Sequence, residues 1–199
     1  LIPTTDNAAV LVADHADQLR QGFIFQEASS GLVRSLRSKK AMYFLARKHQ
    51  IPTAESFFPQ CHRDVLDCLD KITFPVMLKA IDGARLFARA GRKMFIVNSS
   101  KELLSLYDRV EDPAAPNLMI QECVPGKDDT VWMFNGYFNA KSTCLWGFTG
   151  KKIRQCPIHT GSTSLGICLR NDEVTKSTTR FMGQLGYRGI LDIGYRCLL

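Results

Sequence analysis

Runs of apolar residues along the chain alternate between two spacings, and each spacing predicts a different element. Met42, Leu45, Ala46 and His49 fall on one face of a helix over Ser38 to Gln50. Pro52 ends it, because the residue before a proline avoids the helical region. Val65, Leu66, Leu69 and Ile72 repeat the helical spacing between His62 and Ile72. Short apolar runs predict strands at Glu55–Phe58, Pro75–Ala80, Lys93–Asn98 and Asn117–Gln121. Ser99 followed by Glu102 is a capping box, and it opens a helix through Leu103, Leu104, Leu106 and Tyr107 to about Val110.

Beyond that helix, Glu111 to Pro116 reads as a Pro-rich linker between two lobes. Thr130–Phe134 and the run from Tyr137 flank Asn135-Gly136, the strongest short hairpin signal, so a turn is expected there. Strand-like sequence continues to Ile158, with breaks expected at Gly147 and at Thr149-Gly150. His159 to Gly166 reads as a polar loop, Asn171 to Leu185 as a helix stopped by Gly186, and Gly189–Tyr195 as a last strand. Residues 1–37 show only a helical stretch over Ala8 to Leu19. The pattern is mixed α and β with antiparallel hairpins. It lacks the regular strand–helix alternation of a doubly wound sheet.

Composition narrows the class. The 199 residues are 45% hydrophobic and 23% charged, ordinary values for a globular protein, and no apolar run approaches the ~20 residues of a membrane helix. The first residues show neither a signal peptide nor an initiator Met, so the chain reads as a piece of something longer. Seven cysteines, an odd number with no C-x-x-C spacing, read as reduced thiols of a cytoplasmic protein. The four histidines have no metal-ligand spacing.

The net charge is +7, and its distribution matters more than its size. Between Ala28 and Ala54 stand Arg34, Arg37, Lys39, Lys40, Arg47 and Lys48 with no acid. Lys79 to Lys93 adds Arg85, Arg89 and Arg92 against Asp82 alone, and Lys141 to Arg154 is again free of acids. Such segments could converge on a polyphosphate, spread into a nucleic-acid face, or simply be solvated. No Walker-type phosphate loop, dinucleotide fingerprint or G-x-S-x-G elbow is present, so a nucleotide would need another architecture.

Single residues sharpen the choice. Lys79 ends the apolar run Phe74-Pro75-Val76-Met77-Leu78, where a buried ammonium is costly unless an anion meets it; a strand-end lysine reaching water is the plain alternative. Ile81 to Arg92 is expected as a loop, folding over phosphates through Gly83 and Arg85 or forming an ordinary basic loop. Gln121-Glu122-Cys123-Val124 leaves a strand at a turn, where backbone groups could read a purine edge. Asp192, with apolar neighbours on both sides, is expected to be buried, either as a Mg²⁺ ligand or paired with Lys152 or Arg154.

Taken in order, Ser38-Lys39-Lys40 to Gln50-Ile51-Pro52, Phe74 to Lys79, Met119-Ile120-Gln121-Glu122-Cys123-Val124-Pro125-Gly126 and Leu185-Gly186-Tyr187-Arg188-Gly189-Ile190-Leu191-Asp192 resemble the ATP-grasp family. The resemblance runs from about Ser38 to Tyr195. It implies an α+β fold of two lobes on antiparallel sheets with the nucleotide cleft between them, the small lobe at 38–115, the larger at 116–199, and 1–37 a remnant of a preceding domain. It makes Lys39 and Lys79 phosphate contacts, Glu122 to Val124 the adenine-reading hinge with Gln121 a further nucleotide contact, and Asp129 the ribose acceptor. Asp192 becomes a Mg²⁺ ligand, and Arg154 with His159 to Thr163 lies near the transferred group.

The implied parent is a Mg-ATP-dependent ligase that activates a carboxylate as an acyl phosphate and passes it to an amine or thiol. Its partners are ATP and small carboxylate and amine substrates, with a homodimer possible and neither nucleic acid nor membrane involved. Three departures stand out. The segment after Lys79 holds Arg85, Leu86 and Phe87 where the family is richer in Gly and Ser, and position 80 is Ala where Pro is frequent. The chain also stops at Cys197-Leu198-Leu199, before the strand that completes the family's metal site, so nucleotide binding with little turnover is expected of it. The rivals are a nucleotide-sensing module without catalysis on the same fold and a basic nucleic-acid-binding domain.

Overall fold

The computed structural model describes residues 1–126, 130–156 and 162–197. The chain forms two units, one of Ser38–Lys48 and Pro52–Val124, the other of Leu1–Arg37, His49–Ile51 and Pro125–Leu199. Each is organised by a four-stranded antiparallel sheet.

In the first unit, helix α4 (Lys39–Lys48) precedes β1 (Ser56–Phe57), α5 (His62–Cys68), β2 (Val76–Ala80), α6 (Gly83–Ala90), β3 (Met94–Val97), α7 (Ser100–Val110) and β4 (Leu118–Glu122). The sheet order is β1-β4-β2-β3. Val76, Leu78 and Ala80 point one way along β2 and pack with Val65, Leu86, Leu103, Leu106, Val97 and Ile120 in the core under α5, α6 and α7. Burying each large side chain there contributes about 1.5–3 kcal/mol. Met77 and Lys79, at the alternate positions, lie on the opposite face. Ser99 caps α7 as expected, its side chain accepting from the Glu102 N–H, while Glu102 reaches back to the Asn98 N–H at 2.8 Å.

Two parts of this unit differ from the sequence reading. Residues 83–90 form helix α6 rather than a loop: Asp82 caps it by accepting from the Ala84 N–H, Leu86 anchors it in the core, and Gly91 at φ +66° ends it. The two glycines that suggested a loop are its first residue and its stop. The stretch 111–116 is not a slack connector either. Buried Glu111 accepts from the N–H groups of Asp112, Asn117 and Leu118 at 2.8–3.0 Å, turning the chain from α7 straight into β4. Strand β4 then pairs with β1 and β2, so the change of unit falls after Val124.

The other unit begins with α1 (Asp6–Asp14), the single turn α2 (Ala16–Leu19) and α3 (Ser30–Arg37). Its sheet, in order β7-β6-β5-β8, is built from β5 (Val131–Phe138), β6 (Cys144–Cys156), β7 (Ser162–Cys168) and β8 (Gly189–Arg196), with α8 (Asp172–Gln184) against β5 and β6. Phe134, Phe138, Phe181 and Met182 are its buried centre. Asn171 caps α8 by accepting from the Val174 N–H.

Asn135-Gly136 does not turn here. Strand β5 runs through it, Asn135 facing Phe148 on one side and Asp192 on the other. The turn comes at Asn139–Thr143, where the Asn139 side chain accepts from the Lys141 and Thr143 N–H groups and Ser142 takes a positive φ. Gly136 serves packing instead: a Cβ there would lie 2.7 Å from the Phe134 ring and 2.9 Å from the Trp146 carbonyl. Gly147, its register partner on β6, is the same case, with a Cβ 2.6 Å from that ring. Strand β6 is therefore continuous where breaks were expected, because its glycine admits a phenylalanine. Likewise β7 occupies 162–168, where a loop was expected to run to Gly166.

The aperture around Phe134 predicts a sharp asymmetry between glycines. Gly136→Ala should lower the unfolding free energy by about 1–3 kcal/mol in a urea titration, the usual cost of overpacking. Gly22→Ala, where nothing lies within 4 Å, should stay within about 0.5 kcal/mol of the parent.

Candidate functional site

The face of the first sheet turned away from its helix-covered core is where chemistry gathers. Lys79 stands on β2, with Met94 of β3 and Met119 of β4 as its cross-strand neighbours. Met77 and Ile96 occupy the next register level on the same face, Ile96 being 52% exposed. The face thus sets one ammonium among thioethers, with Met119 buried at 1% exposure on the β4 side and Ile96 exposed on the β3 side. Such a surface suits a flat apolar ring with an anionic group attached.

Lys79 itself is half-buried and donates to Gln121 Oε1 at 2.5 Å. Burial, and then the charge of Lys39, push its pKa down from 10.5 to about 8. Lys39, on the first turn of α4, donates to the Ile81 carbonyl at 3.2 Å, just beyond the end of β2. Two residues forty apart in sequence are thereby brought close enough to repel each other. Lys39 is exposed and Lys79 half-buried, so two positive charges stand near one another at this end of β2.

The remaining expected residues are placed as follows. Glu122, the last residue of β4, is exposed; one carboxylate oxygen accepts from the Glu55 N–H at 3.2 Å, and its own N–H donates to the Glu55 carbonyl at 2.9 Å. Cys123 and Val124 follow, half-buried, outside any strand. Glu55 is fixed in turn by the Tyr43 hydroxyl at 3.0 Å and by Arg47 at 2.5 Å. Asp129, like His159 to Gly161, lies outside the described residues.

Gly83 and Arg85 do not form a phosphate-covering loop. Gly83 opens α6, and Arg85 donates to the Ala115 carbonyl at 2.6 Å with the Asp112 carboxylate 3.6 Å away. Arg85 braces the turn after α7, and its guanidinium is spent there.

On the second sheet, Asp192 is exposed rather than buried. Strand β8 is an edge strand, and Asp192 lies on the same face as Ile190, itself 56% exposed. Its neighbour across the ladder is Asn135, and no side chain pairs with it among the described residues, Lys152 and Arg154 included. Arg154 is exposed on β6 between two register shifts. No group of three His, Cys, Asp or Glu side chains comes together among the described residues. A lone accessible carboxylate still fits a magnesium ion that arrives on a nucleotide, because Mg²⁺ commonly takes one or two protein carboxylates and completes its shell from phosphates and water.

Sequence reasoning missed Met77, Met94, Ile96 and Ser56 as neighbours of Lys79. The period of two that put Lys79 opposite the core also puts Met77 beside it, so that one neighbour was legible. The basic segments converge less than their clustering suggested. Arg34 pairs with Asp14, Arg47 with Glu55, and Lys151 lies over the Trp132 ring.

No protein-family model matches the chain. A D-aspartate ligase of Enterococcus faecium (strain Aus0004) is 20% identical over 198 residues, 95% of this chain and 47% of that protein. The chain thus spans about half the length of the curated relative it matches. Among solved structures it is similar to the biotin carboxylase domain of Hydrogenobacter thermophilus 2-oxoglutarate carboxylase, crystallised with MgADP, ADP and bicarbonate (TM-score 0.70, 13% identity, 96% of this chain and 42% of that one). It is also similar to N5-carboxyaminoimidazole ribonucleotide synthetase of Thermus thermophilus (TM-score 0.67, 14% identity, 96% and 49%). A third likeness is to the L-amino acid ligase of Bacillus licheniformis (TM-score 0.60, 14% identity, 96% and 43%).

The depressed pKa of Lys79 carries a stability prediction. Below pH 8 the ammonium is charged in both folded and unfolded chains, and the cost of burying it is fully present. Between 8 and 10.5 the folded chain sheds the proton first, so this group's contribution makes stability rise with pH. Lys79→Met should raise the unfolding free energy at pH 7 by about 1 kcal/mol. It should also flatten the alkaline rise, as read by denaturant titrations at several pH values.

Proposed function

We propose that this chain, which has the ATP-grasp fold, binds the triphosphate of Mg-ATP through Lys79 and Lys39 and belongs to a carboxylate–amine (or carboxylate–thiol) ligase. The observation that carries the reading is the Lys39–Lys79 pair beside an apolar strip. The apolar side chains suit the base, the ammonium groups suit phosphate oxygens, and the strand-end backbone at Glu122 to Val124 suits a purine edge. Met77 and Ile96 would lie against the ring.

Bound Mg-ATP would supply the γ-phosphoryl group that turns a carboxylate into an acyl phosphate open to attack by an amine. The share of this chain is electrostatic. Lys39 and Lys79 place fixed positive charge against phosphate oxygens, which is the larger part of what proteins contribute to phosphoryl transfer. The similar ligases support a carboxyl-activating ligase without specifying which acid or which amine. A nucleic-acid face is less well supported, because Arg34, Arg47 and Arg85 are committed to partners within the chain. No helix among the described residues is long and apolar enough to cross a membrane.

Titration calorimetry with Mg-ATP tests the reading. The parent chain should bind with a measurable heat, and Lys79→Ala and Lys39→Ala should each weaken binding at least about tenfold, the loss of one charge-assisted contact. Lys101→Ala, an exposed position on α7, should leave the affinity unchanged. A folded parent that shows no Mg-ATP binding, or equal losses in all three variants, would overturn it.

A further inference from the structure

Gln121 borders the segment expected to read adenine, but its side chain is used differently. Its Oε1 accepts from Lys79 Nζ at 2.5 Å and its Nε2 donates to Ser56 Oγ at 2.8 Å. Ser56 is its register partner on β1, 7% exposed, and the Ser56 hydroxyl donates to the Ala54 carbonyl at 3.1 Å. Each step fixes the next. A backbone carbonyl can only accept, so the serine proton is committed to it. The serine oxygen must then accept, which draws the amide nitrogen towards it and turns the amide oxygen towards Lys79. The reverse amide orientation would put an NH₂ group against the ammonium. This relay therefore presents a fixed acceptor to Lys79 and engages one of its three protons, leaving two for a ligand.

We propose that Gln121, oriented through Ser56 by the Ala54 carbonyl, is a positioning residue for Lys79, holding its amine charged and aimed on the face of the first sheet turned away from the core. The proposal rests on the nucleotide reading for its purpose but not for its geometry. Burial and the repulsion from Lys39 favour loss of the Lys79 proton. Among the described residues the neighbours of Lys79 carry no countercharge: β3 presents Met94, β4 presents Met119 and Gln121, β1 presents Ser56, and the nearby α4 brings Lys39. The Glu122 carboxylate is turned to the Glu55 N–H. A neutral amide acceptor is thus the group that opposes deprotonation. It does so without the carboxylate that would neutralise the charge a polyphosphate needs.

The test reads Lys79 directly. Acetylation by acetic anhydride, followed residue by residue by mass spectrometry across pH 6–11, gives a rate midpoint for this amine in the ligand-free chain. Gln121→Leu keeps the bulk and removes the acceptor, and the midpoint should fall by about one pH unit. Gln121→Glu should raise it above the parent, and Ser56→Ala should lower it by less than Gln121→Leu does. At pH 7.5 Mg-ATP affinity should drop about tenfold in Gln121→Leu and recover partly at pH 6.5. In Gln121→Glu it should be weak and nearly independent of pH. Parent-like midpoints in both Gln121 variants, with melting transitions retained, would overturn the proposal. A parent chain that fails to bind Mg-ATP while the midpoints shift as stated would sink the nucleotide reading and leave the relay standing.

Discussion

The structure turns on an unfavourable contact. Lys79 stands half-buried on a sheet face with Lys39 as the neighbouring charge, so both desolvation and like-charge repulsion work against it. The core lies on the other side of the sheet, formed by Val76, Leu78 and Ala80 with the helices beneath. Perturbed ionisation of this kind is common at functional sites. The strain is tolerable because the sheet below is over-determined: β2 is paired on both edges, and Glu111 and Asn117 lock the approach to β4.

The two sheets meet the same demand by different means. In the first unit, helices cover one face and leave the other to carry a charged group among apolar ones. In the second, α8 lies against the sheet, and the Phe134 ring fills space that Gly136 and Gly147 leave open across two strands. Trp146, Phe148 and Ile190 remain exposed on the face that also bears Asp192. Both sheets therefore present a mixed surface, apolar side chains around one or two charges.

Much of this was legible in the sequence. Strand β2, the Ser99-capped helix, α8 and β8 follow from period and capping alone, because local forces and tertiary packing agree at those places. Lys79 was legible because an ammonium at the end of an apolar strand is costly and needs a reason. Three features were hidden for one physical cause, which is that glycine serves two purposes. Gly83 and Gly91 bound a helix, yet resemble a loop when the Asp82 cap and Leu86 anchor are overlooked. Gly136 and Gly147 resemble turn and break signals, but they answer to the bulk of a ring that only the sheet register brings alongside. Asp192 looked buried because its sequence neighbours are apolar, whereas exposure in an edge strand depends on which face is covered. The Ser56–Gln121–Lys79 relay spans three strands and depends on registers that no single-strand pattern contains.

The path of β5 through Asn135-Gly136 bears on the chemical ageing of the chain. This is its one Asn-Gly dipeptide, the pairing most prone to lose ammonia through a cyclic imide. That reaction needs the glycine nitrogen to swing back onto the asparagine side-chain carbonyl. Here the backbone is extended and flanked by strands on both sides, Gly136 facing Gly147 and Leu191. The folded sheet thus shields its most labile bond, and accumulation of aspartate and isoaspartate at this position would record the time the sheet has spent open.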